Sequence, residues 1–323
     1  MTENETVPTL RGGATRRALL TAAAGAAALL TTGAAGPAPA PAPAPAHSGP
    51  RDGAARQGAA RVAAVRRLRA LERRHGARLG AVARNTVTGA TVLYRAGERF
   101  PMCSTFKTLA AAAVLRDLDR HGEVLARRVR YTEADLVPHS RKCEENLATG
   151  MTVAELCDAA IRYSDNTAAN LLLRELGGPG AVTRFCRSLG DRTTRLDRWE
   201  PELNSCEPWR VEDTTTPAAL SGTYERLVLG TALNRADRER LTGWLLGNTT
   251  STHRFRAGLP EDWRLADKTG GGSYGTNNDA GIAWTPGGTP VVLAVLTTKP
   301  EREAAADDLL VARAASVLAS AVT

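Results

Sequence analysis

The sequence predicts an α+β fold: an α/β sandwich whose five-stranded antiparallel sheet is flanked by N- and C-terminal helices, with an all-helical lobe inserted. Three observations point there. Segments of strand character sit only near the two ends of the folded region, GAVARN (80–85) and ATVLYRAG (90–97) early, RLADKTG, AGIAWTP and PVVLAVLTTK late. Each group has a segment of helical spacing on its outer side, RVAAVRRLRALERRHGARL (61–79) and EREAAADDLLVARAASVLASAV (301–322). Everything between is helical or irregular. Two early strands and three late ones form one sheet only if both ends of the chain come together, so lobes in space do not follow the order of the sequence.

Taken in order, the N-terminus is an address. TRRALLTAAAGAAALLTTGAAG (15–36) begins with paired arginines and continues as a weakly apolar run ending in small residues. That is the pattern of a twin-arginine export signal over residues 1–36. Its Ala, Gly and Thr content argues against a retained membrane span, and without a cysteine there no lipid anchor is available. Residues 37–60, opening PAPAPAPA, read as a disordered Pro/Ala-rich tether. The folded domain is therefore expected over 61–323, with an α/β lobe at about 61–100 and 250–323 and a helical lobe at about 101–249. Segment 61–79 spaces its apolar residues for one helix with a cationic opposite face. TVTG between the first two strands marks a hairpin. In the lobe, TVAELCDAAIRYSDN opens on a capping box, Thr152 and Glu155. NTAANLLLREL stops at Gly177-Gly178, PGAVTRFCRSLG makes a short helix, and two more follow near 217–229 and 235–247. Segment 191–216 has no period, and loops of that length tend to be functional.

The 323 residues are 43% hydrophobic and 24% charged, enough apolar content for a real core. The net charge of +8 is spread along the chain, and aromatic residues are 4% of it, so no nucleic-acid partner is expected. Five cysteines, Cys103, Cys143, Cys157, Cys186 and Cys206, are too few and scattered for a disulfide scaffold, and their odd number leaves one unpaired. The histidines His47, His75, His121, His139 and His253 show no metal-binding spacing, so neither a metal nor another cofactor is expected.

Four short stretches carry candidate chemistry. In STFK, Ser104 and Lys107 are three apart at a helix start, so the lysine Nζ can reach the serine Oγ, and free N–H groups face any anion formed there. The plain alternative is a capping serine and a solvated lysine. In SDN, Ser164 can relay a proton to a leaving nitrogen and Asn166 can donate to a substrate amide, or all three residues simply cap a helix. In KTG and the next residue, Lys268, Thr269, Gly270 and Gly271 offer a cation, a hydroxyl and bare backbone to a carboxylate-bearing ligand along an edge strand. The alternative is a strand end leading into a glycine turn. In WEPELN, Glu200 and Asn204 can hold a water with Glu200 as its general base, or the loop is merely acidic and solvated.

In this order and at these gaps, the stretches are the SxxK, SDN and KTG set of class A β-lactamases and penicillin-binding proteins. Over about residues 61–323 the chain resembles a class A serine β-lactamase. The likeness extends to STFKTLAAAAVL, YSDNTAANLLL, RWEPELN, DTTTP and RAGLPEDWRLADKTGGGSYGTNND. Leader and alanine-rich composition resemble those of actinomycete members. The resemblance implies a β-lactamase/transpeptidase-like fold, a monomer, and hydrolysis of penicillins and some cephalosporins, giving resistance to β-lactams. It implies that Ser104 attacks the β-lactam carbonyl to form an acyl-enzyme, with the oxyanion on the N–H groups of Ser104 and Gly271. Lys107, or Glu200 through water, takes the first proton. Ser164, tuned by Lys268, protonates the departing nitrogen. Asn166 holds the substrate's side-chain amide, and Lys268 with Thr269 holds its carboxylate. Glu200 and Asn204 position the deacylating water, the step that separates a hydrolase from a peptidase that keeps its acyl-enzyme. Arg198 and Asp213 match the ion pair that closes the family's Ω-loop, here about 195–213.

The chain also departs from the family pattern. Asn277 stands where many members carry an arginine for the substrate carboxylate, so Arg254 is expected to supply that guanidinium. His139 replaces an aromatic residue at the mouth of the site. Cys103 has no cysteine at Gly272 to bond with, and Cys157 faces Ala111. Both disulfides familiar in the family are thus absent, which suits folding before export.

Overall fold

A computed structural model describes residues 50–323, so the export-signal reading and the tether up to residue 49 lie outside the described residues. Helix α1 spans Pro50–Arg74 and starts well before residue 61. The end of the expected tether is therefore helix: QGAA (57–60) extends a helix already nucleated, which costs little per residue. At its other end the helical spacing misled. Gly76, at φ +57°, turns the chain, and Arg78–Asn85 is strand β1.

Strand β2 (Thr91–Tyr94) returns as the expected hairpin, and the late strands are β3 (Arg264–Gly272), β4 (Thr276–Trp284) and β5 (Pro290–Thr298). They form one antiparallel sheet in the order β2-β1-β5-β4-β3. β1 and β5 pair from Arg78 opposite Thr298 to Asn85 opposite Val291, which is how the two ends of the domain close. The KTG strand is the edge, as expected.

The two-residue strand period sorts the core into two layers. Ala280, Ile282, Val292, Ala294 and Leu296 belong to a core shared with the helical lobe. Ala283, Val291, Leu293 and Val295 belong to one shared with α1 and the C-terminal helix. Burial on both faces explains why β5 reads as an unbroken apolar run, VVLAVL (291–296).

The lobe holds α2 (Phe106–Ala113), α3 (Val153–Arg162), α4 (Asn166–Glu175), α5 (Gly180–Ser188), α6 (Pro217–Val228) and α7 (Arg235–Leu246). The Thr152–Glu155 capping box forms at the start of α3. Every residue of α2 is buried, Lys107 and Thr108 among them. Helix α6 packs on β1, β4 and β5 and so layers the sheet as well as the lobe. Its buried Tyr224 hydroxyl donates to Thr105 O at 2.9 Å, holding the head of α2 in place. The closing helix α8 spans Asp308–Val322, with Asp307 as its N-cap accepting from Leu310 N at 2.9 Å. Residues 301–306 lead into it without helix.

Candidate active site

Ser104 lies in a 3₁₀ turn, Cys103–Thr105, that runs into α2. No side chain caps that helix, and the Thr105 hydroxyl turns back to Met102 O at 2.7 Å. The capping-serine reading therefore fails. So does the solvated lysine, because Lys107 is fully buried. Its ammonium donates to Ser164 O at 2.8 Å and Asn166 Oδ1 at 2.6 Å, and lies 3.0 Å from Glu200 Oε1. The expected bond from Lys107 to Ser104 is not the one formed. Ser104 Oγ donates instead to Glu200 Oε1, at 3.4 Å. A buried ammonium needs three acceptors and a counter-charge, and the stretched lysine finds them beyond the serine.

The SDN segment satisfies both of its readings. Asp165 is the N-cap of α4, with Oδ1 accepting from Ala168 N at 2.8 Å and Oδ2 from Lys142 N at 2.9 Å. On either side of it, Ser164 (φ +59°) and Asn166 face the cleft. Asn166 Nδ2 gives one proton to Pro138 O at 2.8 Å and keeps its second for a ligand.

KTG lies inside β3, and the turn comes later, at Tyr274 and Gly275. Lys268 is fully buried and donates to Ser164 Oγ at 3.0 Å and Thr269 O at 2.9 Å. Burial first, then the cations of Lys107 and Arg254, push its ammonium well below the ordinary lysine range. Gly270 is required by close approach. A Cβ there would meet Met102 O at 2.9 Å and Ser104 N at 3.2 Å, so only glycine lets the strand lie against the serine turn. At Gly271 a Cβ would make only ordinary contacts, 3.7 Å from Thr276 O and 4.0 Å from Arg254 Nη2.

Glu200 is 2% exposed, which overturns the solvated-loop reading. Asn204 Nδ2 donates to its Oε2 at 2.5 Å, leaving Oε1 between Ser104 and Lys107. Its backbone is pinned by a residue the sequence reading passed over. Asn170 Oδ1 accepts from Glu200 N at 3.0 Å, and Asn170 Nδ2 donates to Glu200 O at 2.8 Å. The signal was available: Asn170 is one turn beyond Asn166 on an otherwise apolar helix, hence on the same face. The loop is closed by Asp213, which accepts from Asp197 N, Arg198 N and Arg198 Nε at 2.7, 3.0 and 2.5 Å.

Ser104, Ser164, Asn166, Asn204, Thr269 and Gly271 line one cleft of about 380 Å³, and Lys107, Lys268 and Glu200 are buried behind Ser104 and Ser164. A serine hydroxyl, a buried carboxylate, two buried ammonium groups and an edge strand thus converge on one opening, an arrangement suited to acyl transfer and hydrolysis. Comparison with known proteins agrees. Residues 63–322 match the Beta-lactamase enzyme family. The chain is 63% identical over 313 residues to a β-lactamase of Streptomyces fradiae, covering 95% of this chain and 97% of that one. A β-lactamase of Streptomyces lavendulae is 68% identical over 262 residues, 80% and 86% of the two chains. The solved β-lactamase from Streptomyces albus G superposes with a TM-score of 0.80 at 64% identity, covering 81% of this chain and all of that one.

The chain belongs to the β-lactamase family. It is a class A serine β-lactamase, a hydrolase of the β-lactam amide. The departures noted in its sequence now have structural partners. Arg254 borders the β-lactamase cleft, where Nη1 donates to Gly270 O and Asn278 O at 3.1 Å and Nε to Asp308 Oδ1 at 2.7 Å. Asn277 Nδ2 donates to the same Asp308 oxygen at 2.9 Å, so the asparagine helps anchor the carboxylate that orients the arginine. Thr250, another residue not singled out from sequence, shares a 2.5 Å hydrogen bond with the Thr269 hydroxyl. His139 is exposed at the cleft mouth, at φ +64°.

Proposed function

We propose that the residues of this β-lactamase divide the work as follows. Ser104 attacks the β-lactam carbonyl and loses its proton to Glu200, directly or through a water, while Lys107, 3.0 Å from Glu200 Oε1, keeps the carboxylate aimed. The N–H groups of Ser104 and Gly271 take the oxyanion. Ser164, with the low-affinity proton of Lys268 beside it, protonates the ring nitrogen as the C–N bond breaks. Glu200 and Asn204 then hold the water that hydrolyses the ester. Asn166 takes the side-chain amide, and Thr269, Lys268 and Arg254 take the carboxylate of penicillins and of some cephalosporins. The observation that supports this most is the placement of Glu200, buried within reach of the nucleophile and bound by Asn204. A monomer exported by the twin-arginine route is the matching cellular reading, supported by the paired arginines of the leader. Among the described residues no helix is long and apolar enough to cross a membrane.

A time course with excess chromogenic β-lactam, in the presence of EDTA, tests the division. Sustained turnover is expected. A burst of one product per enzyme followed by silence would mean that Ser104 acylates and Glu200 does not activate water.

A further inference from the structure

Immediately before the nucleophile lies a feature that the hydrolysis does not use. Cys103 Sγ and Cys206 Sγ are 3.3 Å apart, in a buried cluster with Tyr274. Cys103 precedes Ser104. Cys206 closes the short helical turn of the Ω-loop that carries Asn204. Gly272 makes room for both: a Cβ there would fall 2.6 Å from Cys206 Sγ, 3.1 Å from Cys103 Sγ and 2.6 Å from Asn204 O. The strand end and the loop are already joined at this point, since Ser273 N donates to Asn204 O at 3.0 Å. Among the described residues the other three cysteines are buried with no second thiol in hydrogen-bond reach.

We propose that Cys103 and Cys206 form a reversible dithiol–disulfide site that clips the Ω-loop to the nucleophile's turn, with a low-molecular-weight disulfide as oxidant. Bond formation needs the sulfurs to close from 3.3 Å to about 2.05 Å, a shift of roughly 1.2 Å. The Cys206 thiol is the first to react. The hydrogen bond from Cys103 pulls its pKa down while the same contact, with burial, holds Cys103 up. After half-buried Glu207, Cys206 is followed by an exposed run, residues 208–211, so a small opening of the loop uncovers it. As a thiolate, Cys206 attacks one sulfur of the oxidant RSSR, forming a mixed disulfide and releasing RS⁻. Cys103, deprotonated in turn, attacks Cys206 Sγ, forms the Cys103–Cys206 bond and expels the second RS⁻. The two thiol protons end on the two RSH products, and the oxidant gains the two electrons the cysteines lose. The chemistry at Ser104 is untouched. What changes is the freedom of the loop that holds Glu200, and the closed covalent loop spans about a hundred residues, the range in which such a clip stabilises most.

The full chain, incubated with glutathione disulfide or with dithiothreitol, tests this. Thiol titration after denaturation should fall from five to three in the oxidised sample, and non-reducing peptide mapping should recover a peptide joining Cys103 to Cys206. The oxidised form should melt on the order of 5 °C higher, reversibly on reduction, with initial turnover within about twofold. Cys206→Ser should melt alike under both treatments. Five titratable thiols after oxidation, a glutathione adduct without a cross-link, or a link between other cysteines would overturn the site. A cross-linked enzyme no more heat-resistant than the reduced one would overturn its role as a clip. Because the mapping uses the native chain, the proposal is testable even if the serine variant does not fold.

Discussion

Glu200 shows how one side chain can be both obvious and misjudged in a sequence. As a loop carboxylate followed by proline it invites the reading of a solvated charge, yet it is 2% exposed and lies 3.0 Å from a buried ammonium. Such a pair adds little stability for its desolvation, which supports the catalytic place proposed for it. Glu200→Gln keeps the hydrogen bond from Asn204 and removes the base. Single-turnover mass spectrometry with benzylpenicillin should then show an acyl-enzyme hydrolysed about 10³–10⁴ times more slowly than in the wild type, roughly 4–5.5 kcal/mol of barrier at 1.36 kcal/mol per factor of ten. A variant with unchanged deacylation would remove Glu200 from that role. Arg254 supports a prediction of the opposite kind. Losing one charge-assisted contact to the substrate carboxylate should lower kcat/KM for benzylpenicillin about 10- to 100-fold in Arg254→Ala, chiefly through KM. An unchanged kcat/KM would assign Arg254 to the framework of Asp308 and β3 alone.

At the scale of elements, the Ω-loop depends on Asp213, which is 1% exposed and accepts three hydrogen bonds. Asp213→Ala leaves two backbone N–H groups and the Arg198 guanidinium without their acceptor. With Arg198 still partly solvated, the expected cost is about 2–3 kcal/mol, or roughly 5–10 °C in Tm by calorimetry. Deacylation should suffer more than acylation, because the loop carries Glu200 while Ser104 stands on another element. Equal losses in both steps would mean that the loop also shapes acylation. Elements also mark where sequence reasoning strayed. Apolar spacing carried the first helix to residue 79, past the glycine turn, because Ala77, Leu79 and Ala81 are buried whether read at helical or strand period. The late strands were legible because Gly, Asn and Pro turns separate them. Asn170 showed its helix face but not its partner Glu200, and Thr250 showed nothing, because what each touches lies on a segment distant in the chain.

For the molecule as a whole, the buried carboxylates beneath the KTG strand link folding to pH. Asp267 and Asp279 are fully buried neighbours. Burial, then the charge of Asp267, drives Asp279 well above the ordinary carboxylate range, and burial raises Asp267 as well. The folded chain therefore keeps a proton that the unfolded chain gives up above about pH 4, so in that window stability falls as pH rises. Asp279→Asn removes the linked proton and keeps the shape. Its Tm relative to wild type should rise from pH 4.5 to pH 8, and a constant difference would show that the pair does not hold an extra proton.

The sequence by itself determined the family and the sheet closed by both ends of the chain, and it supplied the candidate reacting groups. Each of those rests on local pattern: strand and helix periods, and residue types at set spacings within one turn or strand. Only the tertiary structure decided which partners those groups take. Lys107 bonds to Ser164, Asn166 and Glu200 rather than to its neighbour Ser104, and Cys103 meets a cysteine of the Ω-loop rather than one in the strand. These contacts join residues tens to a hundred positions apart. Their geometry follows from how the strand, the serine turn and the loop pack together, and no local period encodes that.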